Sequence, residues 1–371
     1  MNRDQLDQDL EGVSASEAVG RILRKFWQPV ARVVDITPQR VHHQRILGED
    51  LVLFRDHSGA IAVLADRCPH RGVRLSVGEH VDGQVQCLYH GWRFDEAGRC
   101  TSAPDEKELF SQKVSVRAYL SREYLGLVFV WLGLGDPSEF QSHLEFEGAD
   151  THFAYIPDTW PCSFYLRLEN TCDFSHIRWA HRGSGLSKHV PPNEGPEIEP
   201  TNDGFVMQLA NGIAKAAPKV RFVFPNILKY EQPLDDTMGW LPHVTYRVPV
   251  DGHACISFVV AAIPQTALKL PVVGAASKPS VRGAQSEICR IGEDVLNGVR
   301  ALSELNGHPH LTEIEDYVCC VGQGRAIDRP KYILGRQDKG IGMLRALWAD
   351  AIGIERDRAR GNKLDGVTGD A

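Results

Sequence analysis

The sequence predicts an α+β chain of two domains, and three observations predict it. Residues 29–134 alternate short β-rich runs with Asp, Gly and Pro turns, the texture of a small β domain. Residues 205–263 hold four alternating segments that read as an antiparallel sheet. Two helical patterns follow, so the order is sheet and then long helix, which fits an open sheet wrapped on a helix. At 371 residues there is room for two cores. The expected division is an N-terminal helical segment at 1–27, a β domain at 28–137 and a second domain at 138–371.

In chain order, residues 1–13 read as a loose polar lead. Ser14–Trp27 has a Ser cap, an early Glu and an apolar stripe, which predicts a helix. Leu51–Phe54, Ala60–Ala65 and Leu125–Leu132 are the clearest strands of the first domain. The second domain begins beyond Gly135-Asp-Pro137, and Thr159–Leu168 alternates like a strand. Arg182–Pro196 is a Gly/Pro-rich loop, either a lid or a plain surface connection. Phe205–Leu209, Val220–Phe224, His243–Val248 and Ala254–Ile263 are the sheet segments. Lys269–Gly283 is rich in Pro, Gly and Ser, the composition of a flexible stretch. Ser286–Leu305 predicts a helix, and so does Glu313–Ile352, interrupted near Gly322–Lys331. The charged tail after Arg356 is expected to fray.

Composition excludes several function classes. The apolar fraction of 43% and charged fraction of 24% are those of a globular protein. A net charge of −7 argues against a nucleic-acid surface, which needs a basic field. The longest strongly apolar run, Ile256–Ile263, is too short to cross a bilayer. The acidic N-terminus has no apolar signal core. Nine cysteines without such a signal read as thiols or metal ligands of a cytoplasmic protein.

Two stretches carry chemistry. Cys68-Pro-His70-Arg-Gly72 and Cys87-Leu-Tyr-His90-Gly-Trp92 each place a His shortly after a Cys on a Gly-bearing loop. Thiolates and imidazoles hold iron or zinc, and tight Gly loops let main-chain amides approach sulfur. A zinc clip is the plain alternative. The other seven cysteines match no ligand position and read as ordinary small residues.

The second stretch, Glu169–His181, gathers two histidines, a carboxylate and an amide between apolar neighbours. Two imidazoles and one acid suit iron and leave positions open for oxygen. The spacing poses a problem. His176 and His181 are five apart, so on an ideal helix they diverge by about 140°. They can share one ion only if a wide turn or a break intervenes. Asp173 precedes His176 by about one turn and can lie near it as an orienting partner. The plain alternative is a helix with two satisfied histidines. The missing acid must come from elsewhere, and Glu313, Glu315, Asp316 and Asp328 are the candidates in the late helical region.

With these loops and Asn170-x-x-Asp173-x-x-His176-x4-His181 downstream, the chain resembles the catalytic subunits of Rieske non-haem iron oxygenases over most of residues 20–350. The Asn-x-x-Asp spacing and the Gly322-Gln-Gly324…Asp328-Arg329 segment lean toward the phthalate and phenoxybenzoate branch. The resemblance implies a helix-grip catalytic domain beside a Rieske [2Fe-2S] domain. In it Cys68 and Cys87 bind one iron of the cluster, and His70 and His90 the other. His176, His181 and Asp316 hold a mononuclear Fe(II), with Glu315 the next choice after Asp316. Asp173 hydrogen-bonds a ligand histidine on one side and a cluster histidine on the other. That bridge crosses between subunits in the family, which implies a homotrimer or a larger ring. Asn170 sits close to the iron. Arg71, Tyr89 and Trp92 shield the cluster, dock a partner or simply pack.

No complete Gly-x-Gly-x-x-Gly or flavin pattern is present, so a separate NAD(P)H-dependent reductase, with flavin or a ferredoxin module, is implied. The expected reaction uses O2 to dihydroxylate, hydroxylate or demethylate an aromatic or similar apolar molecule. A cation in the pocket would favour an aromatic carboxylate, with Arg178, Lys188, Lys215 and Lys219 as unranked candidates. The rival reading is a Rieske electron carrier whose second domain only binds a ligand.

Overall fold

A computed structural model describes residues 3–143, 146, 151–190, 195–209, 219–233, 240–269, 286–325, 328 and 332–365. The chain separates into two compact units. One comprises Leu23–Pro157 and Val260–Val281; the other comprises Met1–Ile22, Asp158–Val259 and Arg282–Ala371. The segments 210–218 and 270–285, which include Lys215 and most of the predicted flexible stretch, lie outside the described residues.

The β-rich unit is built from three small sheets. β1 (Gln28–Arg32), β11 (Leu127–Val130) and β10 (Ser121–Tyr124) form the first. β2 (His42–Ile46), β3 (Glu49–Arg55), β4 (Ile61–Ala65) and β9 (Ala118–Tyr119) form the second, in that order. β5 (Glu79–Val81), β6 (Gln84–Gln86), β7 (Arg93–Phe94) and β8 (Cys100–Ser102) form the third. Val52, Phe54 and Leu64 bury one face of the second sheet against Val85 and Phe94 of the third. Cys68, Cys87 and Trp92 are part of this core, so the two Cys/His loops stand on packed ground. Each strand expected in this region is present, with ends shifted by at most two residues.

The other unit carries most of a seven-stranded sheet. Its strands are β12 (Thr151–Trp160), β13 (Pro196–Thr201), β14 (Gly204–Leu209), β15 (Lys219–Val223), β16 (Ile227–Pro233), β17 (Trp240–Asp251) and β18 (Ala254–Ile263). Their spatial order is β12-β18-β17-β16-β15-β14-β13, and each pair from β13 to β17 is antiparallel. Helices pack on it. A helix at Phe164–Thr171 lies on β17, and the long Lys339–Asp365 helix packs on β13 and on that shorter helix. Trp348 of the long helix is fully buried, edge-on to Phe164 at 5.6 Å and tilted on Phe224 at 5.0 Å. This is the sheet-and-helix arrangement that the element order predicts.

Five expectations change. Residues 3–11 are a helix rather than a loose lead, because Leu6 and Leu10 fall one turn apart and bury together, while Asp7 pairs with Arg345 at 2.9 Å. The Ser14–Trp27 helix shrinks to Ala18–Leu23. The expected strand at Thr159–Leu168 ends at Trp160; Ser163 then caps the helix, its hydroxyl accepting from the Tyr165 amide at 3.3 Å. The tail does not fray at Arg356, since the helix continues to Asp365 and Arg356 reaches Asp9 at 2.5 Å. The Ser286–Leu305 helix stops at Leu296, and the late helical region opens with a helix at Leu311–Val321.

Candidate metal centres

The two Cys/His loops are copies of one backbone device. The Cys68 carbonyl accepts from the Gly72 amide at 2.8 Å, and the Cys87 carbonyl accepts from the Gly91 amide at 3.0 Å. Each Cys amide then donates to the fifth residue on, to Val73 and to Trp92, at 2.8 Å in both loops. Gly72 and Gly91 close the turns at φ of 74° and 70°, a region L side chains avoid. Asp66 pins the first loop from below, accepting from the Ser76 amide at 2.7 Å and its hydroxyl at 2.6 Å.

The four candidate ligands sort by depth. Cys68 and Cys87 are each 2% exposed, whereas His70 is exposed and His90 half-buried. The two imidazoles face each other with centroids 4.4 Å apart, and His70 stacks on Trp92 at 4.6 Å with the planes 5° apart. Trp92 is therefore buried packing for a cluster histidine, whereas Leu88 and Tyr89 project into solvent. The Cys68 thiol is pushed up to about 11 by burial and by the Cys87 sulfur beside it, against main-chain amides of His70 and Arg71 aimed at the sulfur. Two adjacent buried sulfurs ionise only beside a cation, the charge that cluster iron would supply.

In the other unit the backbone resolves the spacing of His176 and His181. The helix Ser175–Trp179 gives way to a 3₁₀ turn at Ala180–Arg182, and His181 itself leaves helical geometry at φ −93°, ψ 24°. That kink is the break the five-residue spacing requires. The imidazole centroids come within 5.1 Å, and both Nε2 atoms face Asp316 Oδ1, His176 at 3.5 Å and His181 at 3.2 Å. Among the described residues these three alone form a ligand group compact enough for one ion, with donor atoms within 4.8 Å of one another.

Tautomers are set from behind. His181 Nδ1 donates to Glu315 Oε2 at 2.9 Å, and His176 Nδ1 donates to the main-chain carbonyl of Asp173 at 2.5 Å. With Nδ1 engaged behind, Nε2 is the ring atom each histidine presents to a cation in front. The Asp173 carboxylate does a different job from the one expected within the chain. Its Oδ1 accepts from the Ser175 amide and hydroxyl, both at 2.7 Å, and from the His176 amide at 3.3 Å, while Oδ2 stays 3.9 Å from His176 Nδ1. Asn170 Nδ2 donates to Asp316 Oδ1 at 3.0 Å. Adjacent residues on a helix point about 100° apart, so Glu315 and Asp316 cannot both face the imidazole tips. Glu315 takes the back of His181 and Asp316 the front. Glu313 is not in the group, and Asp328 lies exposed, away from it.

The electrostatics fit a cation here. Burial alone would lower the pKa of His181, but the carboxylates of Asp316 and Glu315 outweigh it and raise it to about 9. Burial likewise opposes charge on Asp316, yet the two imidazoles hold its carboxyl well below the usual range. The field of this site favours positive charge at the point where the three donors meet.

The family model of the Rieske [2Fe-2S] domain matches residues 26–119. Over 91% of its length the chain is 27% identical to the 5,5'-dehydrodivanillate O-demethylase oxygenase subunit of a Sphingobium species, covering 77% of that protein. The phenoxybenzoate dioxygenase subunit alpha of Ectopseudomonas oleovorans is 43% identical over 34% of this chain, but the match spans only 31% of that relative. Residues 26–119 thus form a Rieske [2Fe-2S] domain, and along most of its length the chain is similar to a Rieske-type oxygenase subunit. Its fold matches the terminal oxygenase of carbazole 1,9a-dioxygenase from Nocardioides aromaticivorans, with a TM-score of 0.66 and 19% identity over 95% of this chain and 98% of that one. A Rieske oxygenase carries a [2Fe-2S] cluster and a mononuclear iron, and both donor sets described above suit those groups.

The His176–His181–Asp316 face opens on a cavity. Phe174, Ile177, Val220 and Trp240 line it with apolar surface, and Asn170, Lys219 and Arg247 add polar groups. Lys219 is thus at the cavity, whereas Arg178 lies against the Trp179 ring and is not among its lining residues. The side chain of Lys188 lies outside the described residues. Sequence reasoning missed two residues: Glu315 as the partner of His181 Nδ1, and Arg247. Replacing Glu315 with alanine should weaken iron binding at this centre by about 10–100-fold and leave the visible spectrum of the cluster unchanged. Glu315→Gln keeps an acceptor and should lose less. An Fe(II) titration of the metal-free protein reads both.

Proposed function

We propose that the chain is the oxygenase component of a system that uses O2 and externally supplied electrons to hydroxylate or demethylate a small aromatic molecule. The observation that carries this reading is the convergence of two imidazole Nε2 atoms and one carboxylate on the wall of a largely apolar cavity. A domain that only bound a ligand would have no use for such an open three-ligand face. Cys68, Cys87, His70 and His90 would hold the cluster, and His176, His181 and Asp316 the ferrous ion. When bound, the cluster supplies electrons singly and the ferrous ion supplies the reaction with O2.

The chain's own residues do the remaining work. Glu315 and the Asp173 carbonyl hold the Nδ1 protons, so the ligand tautomers need no rearrangement. Asn170 presents its amide to the inner oxygen of Asp316 and fixes the carboxylate's rotation. Apolar walls keep water from the ring and hold one substrate edge toward the triad. The named aromatic acids of the two sequence relatives support an aromatic substrate.

The electron source is a separate NAD(P)H-dependent reductase with flavin or a ferredoxin module. The assembly is a homotrimer. Exposed Trp179 beside the ligand histidines, and exposed Leu88 and Tyr89 on the second cluster loop, are the kind of surface a neighbouring subunit covers. Nine free thiols suit a reducing cytoplasm, and among the described residues no helix is long and apolar enough to cross a membrane.

Metal analysis and oxygen uptake test the reading together. The purified protein should hold about three irons per chain, two in the cluster and one in the catalytic domain. With a reductase and NADPH supplied, a panel of aromatic acids, methoxyarenes and N-methyl heterocycles should include a substrate that raises O2 uptake and gives an oxygenated or demethylated product. About two irons per chain and no product across the panel would leave only an electron carrier.

A further inference from the structure

We propose that Arg247 is the anchor for an anionic substrate: its guanidinium receives the carboxylate of an aromatic acid inside the cavity at the His176–His181–Asp316 centre. The proposal rests on the oxygenase reading and names the substrate class for that same cavity. Arg247 stands on β17, is 7% exposed, and is part of the cavity lining. Among the described residues its side-chain hydrogen bonds go to hydroxyls, from Nη1 to Ser257 Oγ at 2.6 Å and from Nη2 to Thr171 Oγ1 at 3.4 Å. Its Nε is buried with no acceptor. Among the described residues no carboxylate pairs with it.

That is an unusual way to bury a guanidinium. A buried charge is costly unless an opposite charge or a full set of hydrogen bonds compensates it. The other buried arginines have partners. Arg345 has Glu169 and Asp7, Arg24 has Glu49, Arg32 has Asp35, and Arg167 lies over the Trp160 ring at 3.3 Å. Among the described residues Arg247 has neither an acid nor a ring over it. Its charged neighbour is Arg167, and burial together with that like charge pulls its pKa down. The nearby Cys255 thiol cannot serve as counter-ion, because burial pushes it up to about 11. A guanidinium remains protonated even so, so the site keeps a positive charge with spare N–H donors and no anion.

An aromatic carboxylate meets each of these conditions. Its two oxygens match the planar fork of a guanidinium. Its ring matches the apolar wall of Phe174, Ile177, Val220 and Trp240. The cavity also carries Lys219 and Glu231, but both are exposed, so solvent screens them as it does not screen Arg247.

Equilibrium binding tests this without turnover. Calorimetric titrations of the metal-loaded, full-length protein would compare benzoate, 3-methoxybenzoate and phthalate with the corresponding neutral amides. At least one acid should bind about tenfold or more tighter than its amide, as a charged hydrogen bond would give. Arg247→Gln should erase that preference, weakening the acid far more than its amide. Because the variant removes a buried group, its fold is checked by circular dichroism and melting. Should it not fold, the wild-type protein decides the matter by salt. An acid preference held within about twofold from 0.05 to 0.5 M NaCl supports a buried anchor, and its collapse to parity overturns one. The proposal also fails if no acid outbinds its amide, if folded Arg247→Gln binds acids as before, or if Lys219→Gln is the change that abolishes the preference. A missing third iron would instead defeat the oxygenase reading, whatever the titrations show. Turnover confined to neutral arenes and indifferent to Arg247→Gln would defeat this proposal alone.

Discussion

Replacing His176 with alanine is expected to empty the single-ion centre and leave the cluster untouched. Total iron should fall from about three to about two per chain, while the visible absorption and reduced-state magnetic signal of the cluster remain those of the parent protein. Substrate-dependent O2 uptake should drop at least about 100-fold, the upper end of what losing a supporting group alone costs at a metal site. The separation of effects follows from placement. His176 belongs to one compact unit, and the loops bearing Cys68 and Cys87 belong to the other. Little in the fold depends on this imidazole, since it is not among the buried side chains and its helix is only Ser175–Trp179. Asp316→Ala should reproduce the loss, because the two Nε2 atoms meet at its Oδ1. Undiminished turnover in either variant would place the chemistry elsewhere.

What the sequence makes legible is the chemistry that is local along the chain. Each cluster loop needs only a Cys, a His and a Gly within five residues, and the main-chain bonds that shape it also close within that span. His176 and His181 were readable as ligand types, but their convergence needed a kink that no composition signal marks. The residues alone do not separate Glu315 from Asp316; only the resemblance favours Asp316. They are neighbours of the same charge, and only the rotation of the Leu311–Val321 helix, fixed by burial of Leu311, Ile314 and Tyr317, assigns one to each side of His181. Arg247 was hidden for a related reason. Residues 243–249 of β17 are buried on both faces, so alternation could not say which side chains point into the cavity. The one available signal was a cation within an otherwise uncharged run. At Thr159–Leu168 the pattern misled, because apolar residues at Phe164, Leu166 and Leu168 fit strand and helix alike until Ser163 is recognised as a cap. The N-terminal helix shows the same limit. Its Leu6 and Leu10 are too few to mark a helix without the surface they bury against.

Asp173→Asn is the substitution that separates two roles of one carboxylate. Within the chain, Oδ1 holds the start of the ligand helix by accepting from Ser175 and from the His176 amide. Oδ2 makes no hydrogen bond among the described residues, and the side chain stays 19% exposed. An asparagine can orient its carbonyl oxygen as Oδ1 does, so the cap and the placement of His176 should survive, with a stability change of a few tenths of a kcal/mol. What is lost is the charge and the second acceptor, the part that would reach the imidazole of a neighbouring subunit's cluster. The expected result is full iron loading, an unchanged cluster spectrum and an unchanged oligomeric state, with turnover lowered by about 10–100-fold. Asp173→Ala removes both functions. It should cost about 1 kcal/mol in stability besides the lost turnover, because the first turn of the helix then has no acceptor. Stopped-flow reoxidation of the reduced cluster, with substrate and O2 present, is the decisive reading. Wild-type rates in Asp173→Asn would reduce Asp173 to a helix cap, and a slow step in both variants, with both metals in place, identifies the free oxygen as the group that matters.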